Sequence, residues 1–316
     1  MYKWIILGVA VFVLLTAFIA AYVCFFRIFL SRRKPRAEEF PIPDGDIYLP
    51  HRDRMVNWMK DMRAMPHTDA SIVSFDGLTL RGAFYEYEKG APIELMLHGY
   101  KGDSERDMCG GIARCFALGH SAFLIDHRAS GKSDGKIITF GINESRDVHR
   151  WIDYIIKNID PDAKIILTGI SMGAATAMIC AGEELPKNVV GVLADCGYTS
   201  AKDIIKKVIT DMKLPADILY PFAKLGARIF GKFDLDEKSP IESMKKCRLP
   251  IIFFHGDTDD YVPHYMSVEN YNACTSENKK LVTIKNAGHG LCFVIDSEYY
   301  IKELGDFFEP VLNNKK

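Results

Sequence analysis

The chain opens with a block of hydrophobicity unlike anything after it. From Trp4 to Phe26 every position is apolar apart from Thr16, with Tyr2 and Lys3 in front. A helix of that length crosses a hydrocarbon core of about 30 Å. Trp4 and Tyr22 stand near its ends, where amphipathic rings favour the membrane interface. A secretory leader has a shorter apolar region, about 7–15 residues, and then a small-x-small cleavage site. No such site follows, and Tyr22-Val23 occupy the places where a lipidated Cys24 would need small residues. The expectation is an uncleaved anchor over residues 1–30, whose removal releases a soluble, active remainder. Residues 31–70, rich in charge and in proline (Pro35, Pro41, Pro43, Pro50), read as a juxtamembrane linker with room for a short helix at Arg52–Met62.

From residue 71 onward the pattern becomes rhythmic. Ser71–Phe75 and Leu78–Phe84 flank Asp76-Gly77 and predict a hairpin. Short apolar runs follow at Ile93–Leu97, Ala122–Ile125, Ile165–Leu167, Val189–Leu193, Ile251–Phe254 and Leu281–Ile284. Between them lie helical patterns at Ser104–Leu118, Asn143–Asn158, Met172–Glu184 and His264–Cys274, with a last one at Glu298–Phe308. Strand-length apolar runs alternating with helices predict a mostly parallel sheet covered on both faces. One interval, Gly197–Arg248, holds helical stretches and no strand. An interruption that long is unusual without a role, and it reads as a helical cap within a domain spanning 71–316.

Composition changes this picture little. The 316 residues are 48 % apolar and 26 % charged, with a net charge of −1. There is no global field to attract nucleic acid. None of the eight cysteines forms a C-x-x-C pair, which removes zinc-ribbon and thioredoxin readings. They read as small buried hydrophobes in a reducing compartment rather than a disulfide framework. Arg27, Arg32, Arg33, Lys34 and Arg36 follow the apolar run, so the positive-inside bias puts the domain on the cytoplasmic side of the membrane.

The chemistry centres on Gly169-Ile170-Ser171-Met172-Gly173. It follows one expected strand and opens a helix of small residues, the context that makes G-x-S-x-G a nucleophile elbow. A serine needs a base. In this arrangement acid and base follow the nucleophile in the chain. Only His264 and His289 lie beyond Ile251–Phe254 and its loop. His289, in the loop just past Leu281–Ile284, sits where α/β sites assemble; His264 follows Pro263 at a helix start, a surface place. Three aspartates, Asp257, Asp259 and Asp260, share the loop between, and position alone leaves the acid open among them.

These segments resemble the α/β-hydrolase superfamily over roughly residues 70–310. Within it they are closest to membrane-anchored bacterial hydrolases of the esterase and prolyl-oligopeptidase-like (serine aminopeptidase-like) groups. His255-Gly256-Asp257-Thr258-Asp259-Asp260-Tyr261-Val262-Pro263 looks like their H-G-x-x-D-x-x-V-P segment, whose aspartate falls on Asp259. Leu97-His98-Gly99-Tyr100 resembles their H-G-aromatic segment. That implies an oxyanion hole from the amides of Tyr100 and Met172, with His98 structural. Asp126-His127-Arg128-Ala129-Ser130-Gly131-Lys132-Ser133 matches the D-x-R-x-x-G-x-S turn of the superfamily, and Gly197-Tyr198-Thr199-Ser200 is also shared. A phosphate-loop reading of Gly131-Lys132-Ser133 fails, since Asp126 stands where that loop needs glycine. Serine at 171 also separates the chain from haloalkane dehalogenases and epoxide hydrolases, which use aspartate.

The reaction implied is acyl transfer through Ser171, with His289 as base and Asp259 orienting it, and no metal or organic cofactor. A small-molecule carboxylic ester is the favoured substrate, ahead of a peptide or amide and then a thioester. The alternative of another class is a non-catalytic binding module tethered to a membrane.

Overall fold

Both faces of the central strands are covered, which is why their sequences are almost continuously apolar. A computed structural model describes residues 2–31 and 38–313. Its elements are α1 (Tyr2–Ile28), a 3₁₀ turn (Asp46–His51), α2 (Arg52–Ala64), β1 (Thr68–Val73), β2 (Thr79–Tyr85), β3 (Ile93–Leu97), α3 (Ser104–Ala117), β4 (Ser121–Ile125) and α4 (Ile142–Asn158). There follow β5 (Ile165–Ile170), α5 (Met172–Ala181), β6 (Val189–Asp195), α6 (Ala201–Asp211), α7 (Ala216–Gly226), a π-helical turn (Ala227–Gly231) and α8 (Pro240–Met244). The chain closes with β7 (Ile251–Gly256), α9 (Tyr265–Ala273), β8 (Lys279–Ile284), α10 (Cys292–Ile295) and α11 (Ser297–Asn313).

The eight strands form one sheet in the order β1-β2-β4-β3-β5-β6-β7-β8. Only the β1–β2 hairpin and the β2–β4 pair are antiparallel; the pairs from β4–β3 to β7–β8 are parallel. Side chains alternate between faces with a period of two. Leu95, Leu97, Leu167 and Phe253 pack with Trp151 and Ile152 of α4 and Ala174 and Ala177 of α5. Ile166, Ile252 and Phe254 pack with Tyr300, Leu304 and Phe308 of α11. Met96, on that same opposite face, meets Met59 of α2 and Ile112 of α3. This is an α/β-hydrolase fold, and its strand order puts the C-terminal ends of β3, β5, β7 and β8 along one rim.

An ion pair is buried against the sheet. Glu94 on β3 pairs with Arg114 of α3 and bonds His120 at 3.0 Å and Thr168 of β5 at 2.8 Å. Burial alone would raise its pKa. The Arg114 guanidinium, with the bonds from His120 and Thr168, outweighs that and holds it near about 2.

Two regions differ from the reading of the sequence. Residues 46–70 are not a free linker. Met55, Met59 and Met62 of α2 are buried, and Thr68–Val73 is already the edge strand. Nor does α1 end where the domain begins. Tyr2–Thr16 are exposed all round, whereas Ala21, Phe25 and Phe29 are buried. Ala21 sits against Gly226 of α7, where an added Cβ would come within 2.4 Å of the Ala21 carbonyl oxygen. Phe25 and Phe29 share a core with Tyr220, Ala223 and Phe233 of the cap. Leu30 bridges to Ile137, and Ser31 N donates to Lys136 O at 2.8 Å. A boundary at residue 30 therefore cuts through packed structure. Arg32, Arg33, Lys34 and Arg36 of the basic cluster lie outside the described residues.

Two outcomes follow for stability. Phe29→Ala empties a site with 0 % exposure and is expected to cost about 3–5 kcal/mol. Deleting residues 1–16 leaves the denaturation midpoint unchanged, while deleting 1–30 lowers it further than Phe29→Ala does. Equal midpoints for the two truncations would show that the end of α1 is not part of the domain. For Glu94, a folded pKa held below the ordinary 4.5 means that its contribution is fully present above pH 4.5. That contribution is lost as pH falls toward 2. Urea titrations across that window are expected to give a shallower acid loss for Glu94→Gln than for the native chain.

Candidate active site

β5 runs into α5 with a single residue between them, Ser171, at φ 56° and ψ −116°. A non-glycine residue held there stores roughly 1–3 kcal/mol, and persists only where its surroundings enforce it. Two glycines do so. An added Cβ at Gly173 would stand 1.9 Å from the Leu97 carbonyl oxygen, and one at Gly169 would stand 2.2 Å from the carbonyl carbon of Gly173. The turn closes only with glycine at both. The elbow lifts Ser171 Oγ above the rim of the sheet, and the residue is only 7 % exposed.

His289, in the loop after β8, reaches Ser171 Oγ with Nε2 at 2.9 Å. Its Nδ1 lies 2.7 Å from Asp259 Oδ2. A carboxylate at Nδ1 fixes the proton there and leaves Nε2 to accept from the serine. The other Asp259 oxygen, Oδ1, accepts from the amides of Tyr261 at 2.9 Å and Val262 at 2.8 Å. Burial alone would push the Asp259 carboxyl up, but hydrogen bonds from His255 and His289 win and hold it well below the usual carboxylate range. It remains ionised, as an orienting acid must.

The competing candidates are placed elsewhere. His264 bonds Thr283 Oγ1 at 2.9 Å. Asp257 accepts from the amide of Asn286 at 2.6 Å and ties two loops together. Asp260 interacts through its backbone oxygen with Lys207. His98 is fully buried, and both ring nitrogens are used, on Gly99 O at 2.7 Å and on the amide of His127 at 3.0 Å. It holds the loop after β3 to the loop after β4. In that second loop Asp126 accepts from the amides of Ser104 and Lys132 at 2.9 and 2.7 Å. Arg128 binds both Asp147 and Asp76.

The segment of the expected oxyanion hole lies beside the serine. An added Cβ at Gly99 would stand 3.6 Å from Ser171 Cβ, and Tyr100 is the next residue. Met172 opens α5, so its amide has no acceptor within the helix. Gly99 N donates to Asp107 Oδ2 at 3.0 Å, which fixes the loop from α3.

Three supporting residues escape sequence reasoning. Tyr48, from the segment read as linker, donates its hydroxyl to His289 O at 2.9 Å. Asp107 braces Gly99. His255 stands 3.2 Å from Asp259 Oδ2, and bonds Ser267 Oγ at 2.6 Å and Val262 O at 2.7 Å. Only His255 left a signal, as the histidine of the H-G-x-x-D segment.

Among the described residues, two groups bring potential metal ligands within 4.8 Å, Cys196–Asp259–His289 and His149–Cys180–Glu183. In the first, Asp259 and His289 are already bonded to each other. In the second, Glu183 is ion-paired with Lys238 at 2.5 Å and burial pushes the Cys180 thiol up. Neither donor set is poised to hold a cation.

A strand-to-helix serine elbow at the rim of a mostly parallel sheet, facing histidine and aspartate from later loops, defines a class of hydrolase scaffolds. A family model described as alpha/beta hydrolase fold matches residues 95–240, a span that holds the elbow and stops short of Asp259 and His289. The chain has the α/β-hydrolase fold and is similar to members of that superfamily. It is 26 % identical over 193 residues to the uncharacterized protein YqkD of Bacillus subtilis, covering 61 % of this chain and 63 % of that relative. It is 25 % identical over 219 residues to the mitochondrial palmitoyl-protein thioesterase ABHD10 of Pongo abelii, covering 63 % of this chain and 68 % of the relative. The Pyrococcus furiosus esterase Pf2001 shares the fold, with a TM-score of 0.65 at 23 % identity over 79 % of this chain and 93 % of the other.

Among the three loop aspartates, Asp259→Asn is expected to lower ester turnover on the order of 10⁴-fold. Steady-state rates for Asp259→Asn, Asp257→Asn and Asp260→Asn check the ranking. A greater loss at Asp257 would reassign the acid.

Proposed function

We propose that this chain is a membrane-anchored serine hydrolase that cleaves a carboxylic ester through an acyl-enzyme on Ser171. The observation that carries this reading is the unbroken chain of hydrogen bonds from Ser171 Oγ through His289 to Asp259. His289 Nε2 takes the hydroxyl proton as Oγ bonds the carbonyl carbon. The amides of Tyr100 and Met172 stabilise the oxyanion, each donor being worth roughly 3–4 kcal/mol in the transition state. The carbon–oxygen bond to the alcohol then breaks, and His289 returns the proton to the leaving alkoxide. Water, activated by the same imidazole, releases the acid. Asp259 stays charged throughout and stabilises the imidazolium.

Ser171 is only 7 % exposed, which favours a slender acyl group over a folded peptide. A thioester is the second substrate class, favoured by the likeness to a relative named a palmitoyl-protein thioesterase. The anchor is α1, the one helix among the described residues long and apolar enough to cross a membrane. Its end is built into the cap core, which suits a retained helix rather than a cleaved leader. The basic residues from Arg27 to Arg36 favour a cytoplasmic domain.

A labelled fluorophosphonate separates an enzyme from a binding module, because only an activated serine reacts. Labelling is expected in the native chain and absent in Ser171→Ala. Ser171→Ala and His289→Ala are each expected to lose about 10⁴–10⁶ in kcat on p-nitrophenyl esters, with the double variant little worse. Additive losses would mean that the two side chains do not act as one unit.

A further inference from the structure

Tyr2–Thr16 of α1 are exposed on every side, a length of about 22 Å at the helical rise, and from Ala17 onward one face of the helix is covered while Ile19 and Val23 stay exposed. A hydrocarbon core needs about 30 Å. The apolar run continues to Phe26, but beyond Thr16 one of its faces, with Ala21 and Phe25 buried, is packed along the cap. Phe230, in the π-helical turn, meets the rings of Phe18 and Tyr22 at 5.2 Å each and Phe25 at 5.6 Å. Phe18 lies about 12 Å along the helix from Phe26. If the whole apolar run is used to span the bilayer, this part of the cap must enter it.

The cap's surface fits that placement. Ile218, Phe222, Leu225 and Ile229 recur at four-, three- and four-residue steps and form one stripe. Ile218 is 62 % exposed, Leu225 37 % and Ile229 44 %. The stripe adjoins the face of α7 that packs on α1. The basic residues lie on its other flank and are paired, Lys224 with Asp236 and Arg228 with Asp234. A bare apolar stripe continuous with a membrane-crossing helix has the bilayer as its natural cover.

The interior of the cap connects this surface to the serine. Aromatic rings follow one another from Phe230 to Phe25 at 5.6 Å, Phe29 at 6.3 Å, Phe140 at 5.7 Å and Tyr100 at 5.2 Å. Tyr100 begins the loop beside Ser171, and its hydroxyl donates to Ile28 O at 2.5 Å. Met172 belongs to the same cluster.

We propose that the α7–π tip of the cap is inserted in the bilayer beside α1, and that the aromatic seam between them delivers a membrane-resident long-chain acyl ester to Ser171. This rests on the acyl-hydrolase reading for the substrate and on geometry alone for the insertion. The seam is made of side chains rather than a preformed tunnel, so an acyl chain advances by displacing rings that already pack with hydrocarbon-like contacts. The ester end then arrives at Tyr100 and Met172, where polar donors begin.

The test uses the full-length chain in phosphatidylcholine vesicles. Seven of the eight cysteines are buried, so Ile229→Cys in a Cys24→Ala background takes an environment-sensitive fluorophore at one site. Exposed Lys157→Cys, at the end of α4 that leads into the start of β5, is the control at the opposite end of the strands. Quenching by spin-labelled phosphatidylcholine is expected at 229 and not at 157. Ile218→Glu combined with Ile229→Glu is expected to lower the ratio of long-chain to butyryl ester turnover on the order of tenfold. An unquenched label at 229, or equal loss on both esters, overturns the proposal. If the native chain hydrolyses neither ester, the hydrolase reading has failed, and quenching still decides the insertion.

Discussion

The close approach of the first turn of α5 to the end of β3 is the constraint on which the site depends. With an added Cβ only 1.9 Å from the Leu97 oxygen, Gly173 lets the two backbones nearly touch. That contact seats the elbow, forces Ser171 into its positive-φ conformation, and brings the His98–Tyr100 loop beside the nucleophile. The hydrogen bonds around it hold the partners still: His98 to the β4 loop, Asp107 to Gly99, Tyr48 to the loop of His289. Strain at one residue persists because many ordinary contacts over-determine it.

The central sheet was legible because its strands are buried on both faces, and buried parallel strands have a simple sequence pattern. Ser171 and His289, which the structure brings together, were legible as candidates because the chemistry is ordered along the chain. Their aspartate partner was not legible from position. Three aspartates share one loop, and what distinguishes Asp259 is the direction of its side chain, fixed by amide donors two and three residues ahead. Resemblance pointed to it where spacing did not. Tyr48 was hidden for a different reason. Its segment is rich in proline and charge, the composition of a linker, and only tertiary contact shows that it braces the base loop.

α1 illustrates the limit of hydropathy as a guide to boundaries. A run of apolar residues has the same composition whether lipid or protein covers it. Here the covering changes part-way along α1, after Thr16. The signal was present but faint: Ala17, Ala20, Ala21, Cys24, Phe25 and Ile28 recur at three- and four-residue steps, and small residues at such steps allow helices to approach closely. Inside a segment apolar on every side, that periodicity is invisible to a hydropathy count.

Joining the anchor to the cap alters what the cap can do. A cap hinged only on its own sheet opens toward water, and its apolar lining makes opening costly there. In this chain one wall is α1, long and apolar enough to cross a membrane, and the loop beside Ser171 is tied to that wall through Tyr100 and through Lys101, whose Nζ donates to Arg27 O at 3.1 Å. Motion of the cap against α1 therefore exposes apolar surface beside lipid, where exposure costs far less than in water. The same two bonds carry any displacement of α1 to the backbone at Tyr100, beside Ser171. On the proposed placement, the membrane is both the source of the acyl chain and the medium that makes opening inexpensive.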